Sequence, residues 1–154
     1  MNKLPGELRF SKLPMVHGRI LAMDLGKRRI GLAVSDELGI TAQGLETFQR
    51  TTIREDISRL TQLAQVREIG LILMGNPLHM SGDESRQSQY SRDFARRLEE
   101  ATGIPTQFWD ERMTTIEAER VLKQSGVSIQ KRAKAVDRLA AVILLESYLD
   151  SLDQ

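Results

Sequence analysis

Cysteine is absent from this sequence, which rules out a disulfide framework, a thiolate nucleophile and a zinc–thiolate site. A cytoplasmic setting is the simplest interpretation of that absence. No uninterrupted apolar stretch approaches the ~20 residues of a membrane-spanning helix, so we expect no membrane association. The formal net charge is only +1, so the overall charge does not by itself indicate a nucleic-acid partner.

Several familiar functional motifs are missing as well. The chain has no P-loop, no Gly-x-Ser-x-Gly element and no histidine spacing of the kind found in metal sites. Its 154 residues, of which 40% are apolar and 28% charged, fit one globular domain with a substantial core. Residues 1–17 lack the apolar core of a secretory leader, and we expect a flexible extension there, followed by a single domain at 18–154.

Hydrophobic patterning predicts an α/β domain with the element order βββαβαβαα. Strands are predicted at 20–24, 30–35, 42–49, 69–74 and 106–110, and helices at about 52–67, 90–101, 114–125 and 131–149. Short links between the first three strands indicate an antiparallel meander, whereas the later strands alternate with helices. We therefore expect a mixed five-stranded sheet, a meander plus parallel strands, with helices on both faces.

Three acidic residues occupy positions that a purely structural role explains poorly. Asp24 ends the first strand, Glu111 follows the fifth, and Asp137 lies on an apolar stripe of the last helix. Ligands gather beyond the carboxyl ends of parallel strands, where Asp24 and Glu111 both fall. Converging carboxylates repel one another, and a divalent cation that prefers hard oxygen ligands, such as Mg²⁺ or Mn²⁺, relieves that repulsion. The pattern points to metal-assisted phosphodiester chemistry.

Each acid also has a structural alternative. Asp24 can be an ordinary turn residue after a strand, and Asp137 can be the N-cap of a helix that begins later than expected. Asp110 and Glu111 can both favour the N-terminus of the following helix. Strand alternation directs those two side chains to opposite sides, and the sequence leaves open which of them faces the site. An acid on an apolar stripe needs a partner, so we favour the site for Asp137.

Six further residues are candidate substrate contacts because they can position phosphates or donate hydrogen bonds. They are Lys27, Arg28, Arg29, Asn76, Ser85 and Arg112. His79, in the polar loop after the fourth strand, is a candidate proton shuttle, although a loop histidine is more often simply exposed. For the basic residues the alternative is a solvated turn or helix face. Arg29 can pair with a carboxylate or contact phosphate.

Four segments, in order along the chain, resemble the motifs of one family. They are MDLGKRRIGLAVSD at 23–36, GNPLHMSG at 75–82, WDERMTT at 109–115 and VDRLAA at 136–141. Together they resemble the YqgF/RuvX family of RNase H-like nucleases over residues 18–150. One departure is Asn76, where members commonly carry leucine before the proline, and this bears on loop packing or substrate fit.

The resemblance implies an RNase H-like fold in which Asp24, Glu111 and Asp137 are both catalytic residues and metal ligands. The implied cofactor is Mg²⁺ or Mn²⁺, expected as two ions about 4 Å apart. The family is described as nucleases that mature the 5′ end of pre-16S rRNA and as Holliday-junction resolvases. The partner is accordingly pre-rRNA or branched DNA. We favour pre-rRNA, because symmetric cutting of a junction favours a two-fold dimer and no dimerisation stripe is evident.

Two other classes of function compete with a nuclease. A non-catalytic nucleic-acid-binding module would use the acids structurally and would bind without metal-dependent cutting. An ATP-handling relative of actin and the sugar kinases would explain the Asp-Leu-Gly segment at 24–26, but that architecture needs two such domains around a nucleotide cleft. A chain of 154 residues does not supply them. Both a monomer and a homodimer stay open.

Overall fold

The structure is a computed structural model that describes residues 18–75, 84–109, 123 and 129–152, without the side chains of 84–85 and 129–134. Six strands and three helices make up this part of the chain. The strands are β1 (Arg19–Leu25), β2 (Arg29–Ser35), β3 (Ala42–Gly44), β4 (Phe48–Gln49), β5 (Ile69–Gly75) and β6 (Thr106–Trp109). The helices are α1 (Ile53–Val66), α2 (Glu84–Thr102) and α3 (Ile129–Leu152).

The strands form one mixed sheet in the order β3-β2-β1-β5-β6, with β4 also paired to β2. Strands β1, β2, β3 and β4 pair antiparallel, whereas β1, β5 and β6 run parallel. The predicted meander followed by parallel strands is therefore confirmed. The parallel strands β1, β5 and β6 bring their carboxyl ends to the same edge of the sheet.

The predicted third strand at 42–49 was wrong in one respect, because it is two short strands rather than one. Gly44 lies opposite Ala33 and Phe48 lies opposite Ile30, so residues 45–47 face only residues 31–32 of β2. One extra residue on one strand breaks the ladder locally, as in a β-bulge. The sheet thus has five strand positions, and β3 and β4 share the outer edge of β2.

Helices cover both faces of the sheet, as predicted. Leu21 and Met23 of β1 belong to a core cluster with residues of α1 and α2, whereas Ile20 and Ala22 belong to a second cluster with residues of α3. This alternation follows from the two-residue period of a strand. Odd and even positions of β1 therefore face different helices, and the even positions face α3.

Local signals in the sequence explain the helix ends. The hydroxyl of Thr52 accepts a 3.1 Å hydrogen bond from the Glu55 N–H and so caps the N-terminus of α1. Gly103 ends α2 with φ of +74°, a conformation that favours glycine. The helix predicted at 114–125, apart from residue 123, and the extension at 1–17 lie outside the described residues. Within the described ranges, no helix is long and apolar enough to cross a membrane.

Candidate active site

Asp24 projects from β1 toward α3, at the edge where the parallel strands end. It continues the series Ile20 and Ala22, both of which pack in the cluster that contains α3. Its register partner on β2 is Gly31. The side chain of Asp24 is only partly exposed. A carboxylate therefore takes the place that an apolar residue would otherwise fill, at the rim of a buried cluster.

Asp137 reaches the same place because α3 lies directly on β2. A Cβ atom added to Gly31 would overlap the main-chain carbonyl of Asp137, and one added to Gly44 would lie 2.6 Å from the Arg138 side chain. Glycine at these positions lets the helix backbone approach the sheet closely. Since Gly31 is the neighbour of Asp24 across the β1–β2 ladder, the two acids come together over this glycine.

The two carboxylates influence each other electrostatically. Burial and, to a smaller extent, repulsion by Asp137 together raise the pKa of Asp24 to about 6. Burial also raises the pKa of Asp137, although the hydrogen bond and charge of Arg29 work against part of the effect. Carboxylates whose pKa is raised in this way are stabilised in their ionised form by any cation that binds them. A pair of acids with shifted pKa values at the edge of a sheet is typical of functional sites.

Among the described residues, Arg29 is the basic residue that forms an ion pair with one of these two acids. Its Nε donates a 2.8 Å hydrogen bond to Oδ2 of Asp137, and the two side chains are 30% and 19% exposed. The residue opens β2, two positions before Gly31, so strand alternation places it on the same face. Arg29 was expected to pair with a carboxylate or to contact substrate phosphate, and in the structure it pairs with the Asp137 carboxylate.

Lys27 and Arg28 lie on the turn between β1 and β2, and both side chains are exposed. Neither forms an ion pair with any residue in the part of the chain that the structure describes. The turn is held by a 3.0 Å hydrogen bond from the Gly26 N–H to the Arg29 carbonyl. Two positive charges are therefore presented to solvent within a few residues of Asp24.

The ends of β5 and β6 complete the edge beside Asp24. Met23 pairs with Met74, and Gly75 pairs with Trp109, so these strand ends are level with one another. The Trp109 Nε1 donates a 3.0 Å hydrogen bond to the Ser147 hydroxyl, and its ring meets Tyr148 edge to face at 5.2 Å. Trp109 thus ties the end of β6 to α3, the helix that carries Asp137.

Several predicted site residues lie outside the described residues, namely Asn76, His79, Asp110, Glu111 and Arg112. Ser85 falls in α2, but its side chain is among those not described. The structure therefore brings together Asp24, Asp137 and Arg29, with Lys27 and Arg28 nearby. Within the described ranges, no group of three or more His, Cys, Asp or Glu residues is placed to hold a metal ion.

Sequence reasoning missed a buried ion pair beneath the β1–β2 turn. Arg50 Nε lies 3.0 Å from Oδ2 of Asp56, and the two side chains are 7% and 0% exposed. The signal was present, because Asp56, Leu60 and Ala64 are the buried residues of α1 and follow helical spacing. Tyr90 is exposed, and its hydroxyl accepts a 2.6 Å hydrogen bond from Arg50.

Comparisons with known proteins give a consistent result. The family model described as "RuvX: Holliday junction resolvase" matches residues 18–151. A protein of Koribacter versatilis (strain Ellin345) named "Putative pre-16S rRNA nuclease" is 52% identical over 135 residues, which are 88% of this chain and 88% of that protein. A protein of the same name from Bacillus subtilis (strain 168) is 44% identical over 137 residues, 88% of this chain and 99% of its own.

Solved structures share the fold at low sequence identity. The structure of T. thermophilus RuvC in complex with Holliday junction substrate matches with a TM-score of 0.54 and 13% identity, covering 87% of this chain and 96% of that one. A second Thermus thermophilus RuvC structure matches with a TM-score of 0.51, 12% identity and coverage of 88% and 96%. At such identities the likeness is evidence for the fold alone, which is the RNase H-like fold expected from the sequence.

Proposed function

Because this chain belongs to the RuvX family of Holliday junction resolvases, we propose that it is a divalent-metal-dependent nuclease whose natural substrate is the 5′ end of pre-16S rRNA. Family membership makes it a nuclease, that is, a hydrolase of phosphodiester bonds. Beyond this nuclease activity, we propose a bound divalent metal, the residues that hold it, the substrate and a cytoplasmic setting.

One observation supports the site above all others, namely the meeting of Asp24 and Asp137 over Gly31. Burial, together with repulsion by Asp137, raises the pKa of Asp24, so the pair is poorly satisfied by the protein alone. Carboxylate oxygens are hard ligands, and Mg²⁺ or Mn²⁺ suits them better than a soft metal does. The donor set therefore fits such an ion, and two ions can be held where a third carboxylate joins the pair.

Glu111 is the proposed third carboxylate. Phe108 packs in the cluster with α1 and α2, whereas Trp109 packs in the cluster with α3. The two-residue period of a strand, continued past Trp109, favours Glu111 over Asp110 for the face that carries Asp24.

The chain's own residues have distinct roles in this proposal. Asp24, Asp137 and Glu111 bind the metal, which when bound supplies an activated water and offsets phosphate charge. Arg29 orients the Asp137 carboxylate through Nε. Lys27 and Arg28 bind phosphates near the cut, because exposed cations track a phosphate backbone well. Arg112, Asn76 and Ser85 are proposed as further substrate contacts.

The choice between substrates depends on the relatives. Those of 52% and 44% identity carry a name that specifies pre-16S rRNA, and this chain covers nearly all of their length. The family description favours instead a four-way DNA junction. We propose pre-16S rRNA as the substrate because these relatives, at 52% and 44% identity, carry that name. Resolution of a four-way DNA junction is the second candidate. A monomer suffices for a single cut in rRNA, whereas a paired cut in a junction favours a homodimer.

Cleavage of two matched substrates tests the proposal. A fragment spanning the 5′ end of pre-16S rRNA and a synthetic four-way DNA junction are incubated with Mg²⁺ or Mn²⁺. Asp24→Asn and Asp137→Asn remove ligands, and Asp150→Asn, an exposed acid on the same helix as Asp137, is the matched control. Cutting of the rRNA by the wild type and the control alone supports the proposal. Paired nicks confined to the junction favour the resolvase, and binding of either substrate without cutting contradicts both.

A further inference from the structure

Arg50 is a nearly buried cation whose guanidinium contacts three different elements. Its Nε donates to Asp56 of α1 at 3.0 Å, its Nη1 to the Gly26 carbonyl at 2.8 Å, and its Nη2 to the Tyr90 hydroxyl of α2 at 2.6 Å. The Cζ atom lies 5.6 Å and 5.3 Å from the ring centroids of Tyr90 and Phe94. All three nitrogens of the guanidinium are therefore used.

A stabilising ion pair alone does not explain this arrangement. A buried pair is weak evidence for stability, because desolvation of both charges offsets most of their attraction. An ammonium group would neutralise Asp56 equally well. A planar fork is needed only where several acceptors must be held in fixed directions. The acceptor that stands out is the Gly26 carbonyl, because it belongs to the turn that follows Asp24.

The turn between β1 and β2 is held by Arg50 from both its main chain and its side chain. The Arg50 N–H donates to the Arg28 carbonyl at 2.9 Å, in addition to the Nη1 bond to Gly26. The turn itself is tight, since a Cβ atom on Gly26 would lie 2.6 Å from the Arg29 carbonyl oxygen. Arg50 thus fixes the segment that joins Asp24 to Arg29.

We infer that Arg50 is a positioning residue for the nuclease site, acting by clamping the 25–29 turn that carries its phosphate-binding cations and joins Asp24 to Arg29. This inference rests on the proposed function. Arg50 touches neither Asp24 nor Asp137 in the described structure. It acts through Gly26, and it holds the backbone that follows Asp24 and fixes the direction in which Lys27 and Arg28 leave the turn.

The test compares variants that keep or break the bond to Gly26. In Arg50→Lys the ammonium group keeps a positive charge beside the buried Asp56 carboxylate and should pair with it. A single ammonium nitrogen cannot also donate a hydrogen bond to the Gly26 carbonyl. Tyr90→Phe is the matched control, because it removes one guanidinium hydrogen bond and leaves the turn and the aromatic ring in place.

A second variant combines Arg50→Met with Asp56→Asn. It removes the whole ion pair without leaving a buried charge. The Asp56 carboxylate accepts a 3.0 Å hydrogen bond from the Thr51 N–H, and the amide carbonyl that replaces it can still accept that bond. The double variant therefore breaks the link to Gly26 while keeping the start of α1 satisfied.

Three quantities are measured at a temperature where circular dichroism shows every variant folded: Mn²⁺ affinity by calorimetry, KM and kcat for the rRNA fragment, and amide exchange at Gly26 and Arg50. We expect Arg50→Lys to weaken Mn²⁺ binding about tenfold, as loss of outer-shell support commonly does, to raise KM, and to speed exchange. Tyr90→Phe should match the wild type. If Arg50→Lys does not fold, the double variant carries the same expectations.

The outcomes separate this inference from the proposed function. A merely structural role would lower the melting temperature of Arg50→Lys while leaving KM, Mn²⁺ affinity and Gly26 exchange at wild-type values, and that result overturns the inference. Equal losses in Arg50→Lys and Tyr90→Phe also overturn it, because the link to α2 rather than the turn would then matter. If the wild type cuts neither substrate, the proposed function fails, while Mn²⁺ affinity and amide exchange still test the clamp.

Discussion

Arg29 and Asp137 are joined by a 2.8 Å hydrogen bond from Nε to Oδ2, although they are 108 positions apart in the chain and belong to a strand and a helix packed against it. The bond places a positive charge on the carboxylate that also repels Asp24. Arg29 therefore does in the protein part of what a divalent cation would do for this acid pair. Arg29 and a bound metal ion would therefore compete for the Asp137 carboxylate.

Replacing Arg29 by glutamine should separate metal binding from catalysis. Without the guanidinium, Asp24 and Asp137 lose a partner that lowers their repulsion, so the pair should bind Mn²⁺ several-fold more tightly. Cleavage should nevertheless slow by about tenfold or more, because the oriented Asp137 and the charge near the phosphate are lost. Calorimetry with Mn²⁺ and single-turnover cleavage measure the two effects. Weaker Mn²⁺ binding in this variant would contradict the idea that Arg29 competes for Asp137.

Gly31→Ala should displace α3 from the sheet, because a Cβ atom there overlaps the Asp137 carbonyl. The free energy of unfolding should fall by about 1–3 kcal/mol, as for other overpacked positions, and cleavage should be lost even where the variant is folded. Gly103→Ala is the control, since it introduces strain at a φ of +74° but meets no atom within 4 Å. Urea unfolding and cleavage assays on both variants decide the matter. Full activity in Gly31→Ala would show that the approach of α3 to Gly31 does not position Asp137.

Asp137 and Asp56 show how far sequence reasoning reaches at this site. An acid on an apolar helical stripe led to the prediction of a paired carboxylate at Asp137, whereas the same signal at Asp56 was missed. Both acids are paired in the structure. The same signal does not say what the partner is. Asp56 is satisfied by Arg50, six residues away, whereas Asp137 meets Arg29 and Asp24 from distant strands. A buried acid can be predicted from periodicity, but its chemistry depends on which elements are packed beside it.

The sheet shows the same difference between features that local sequence predicts and features that depend on contacts between distant segments. Strand positions and the parallel edge followed from apolar runs and turn residues, because those are local properties of the chain. The break in the predicted strand at 42–49 did not, because a one-residue shift against β2 depends on pairing rather than on composition. The sequence shows a glycine at position 31 but not its role. That role is to let the main chain of Asp137 in α3, which comes far later in the chain, approach the sheet closely.

Cleavage and metal binding should fall steeply below about pH 6. A metal ligand must be deprotonated, and burial together with repulsion by Asp137 raises the pKa of Asp24 to about 6. Apparent Mn²⁺ affinity should therefore drop about tenfold for each pH unit below that value. It should level off above it, apart from any second titration. A series of Mn²⁺ titrations between pH 5 and pH 8 in matched ionic strength measures this. An affinity that stays constant down to pH 5 would exclude Asp24 as a ligand whose proton competes with the metal.

Asp24→Asn should make the metal-free protein more stable while abolishing cleavage. The pKa of Asp24 is higher in the folded chain, about 6, than its ordinary value of 3.8. The folded state therefore binds the proton more tightly, so stability falls as pH rises from about 4 to about 6 and stays lower above that range. The shift corresponds to at most about 3 kcal/mol, and solvent at the partly exposed carboxylate reduces it.

An amide has the same shape but no charge, so the gain in Asp24→Asn should be present at pH 8 and should vanish near pH 4, where Asp24 is protonated in the wild type. Urea unfolding at both pH values, in a metal-chelating buffer, measures it, with Asp150→Asn as the exposed control. Adding Mn²⁺ should stabilise the wild type and reverse the order, because the variant has lost a ligand. A variant less stable than the wild type at pH 8 without metal would mean that the Asp24 carboxylate contributes to folding, and its position would then need no functional explanation.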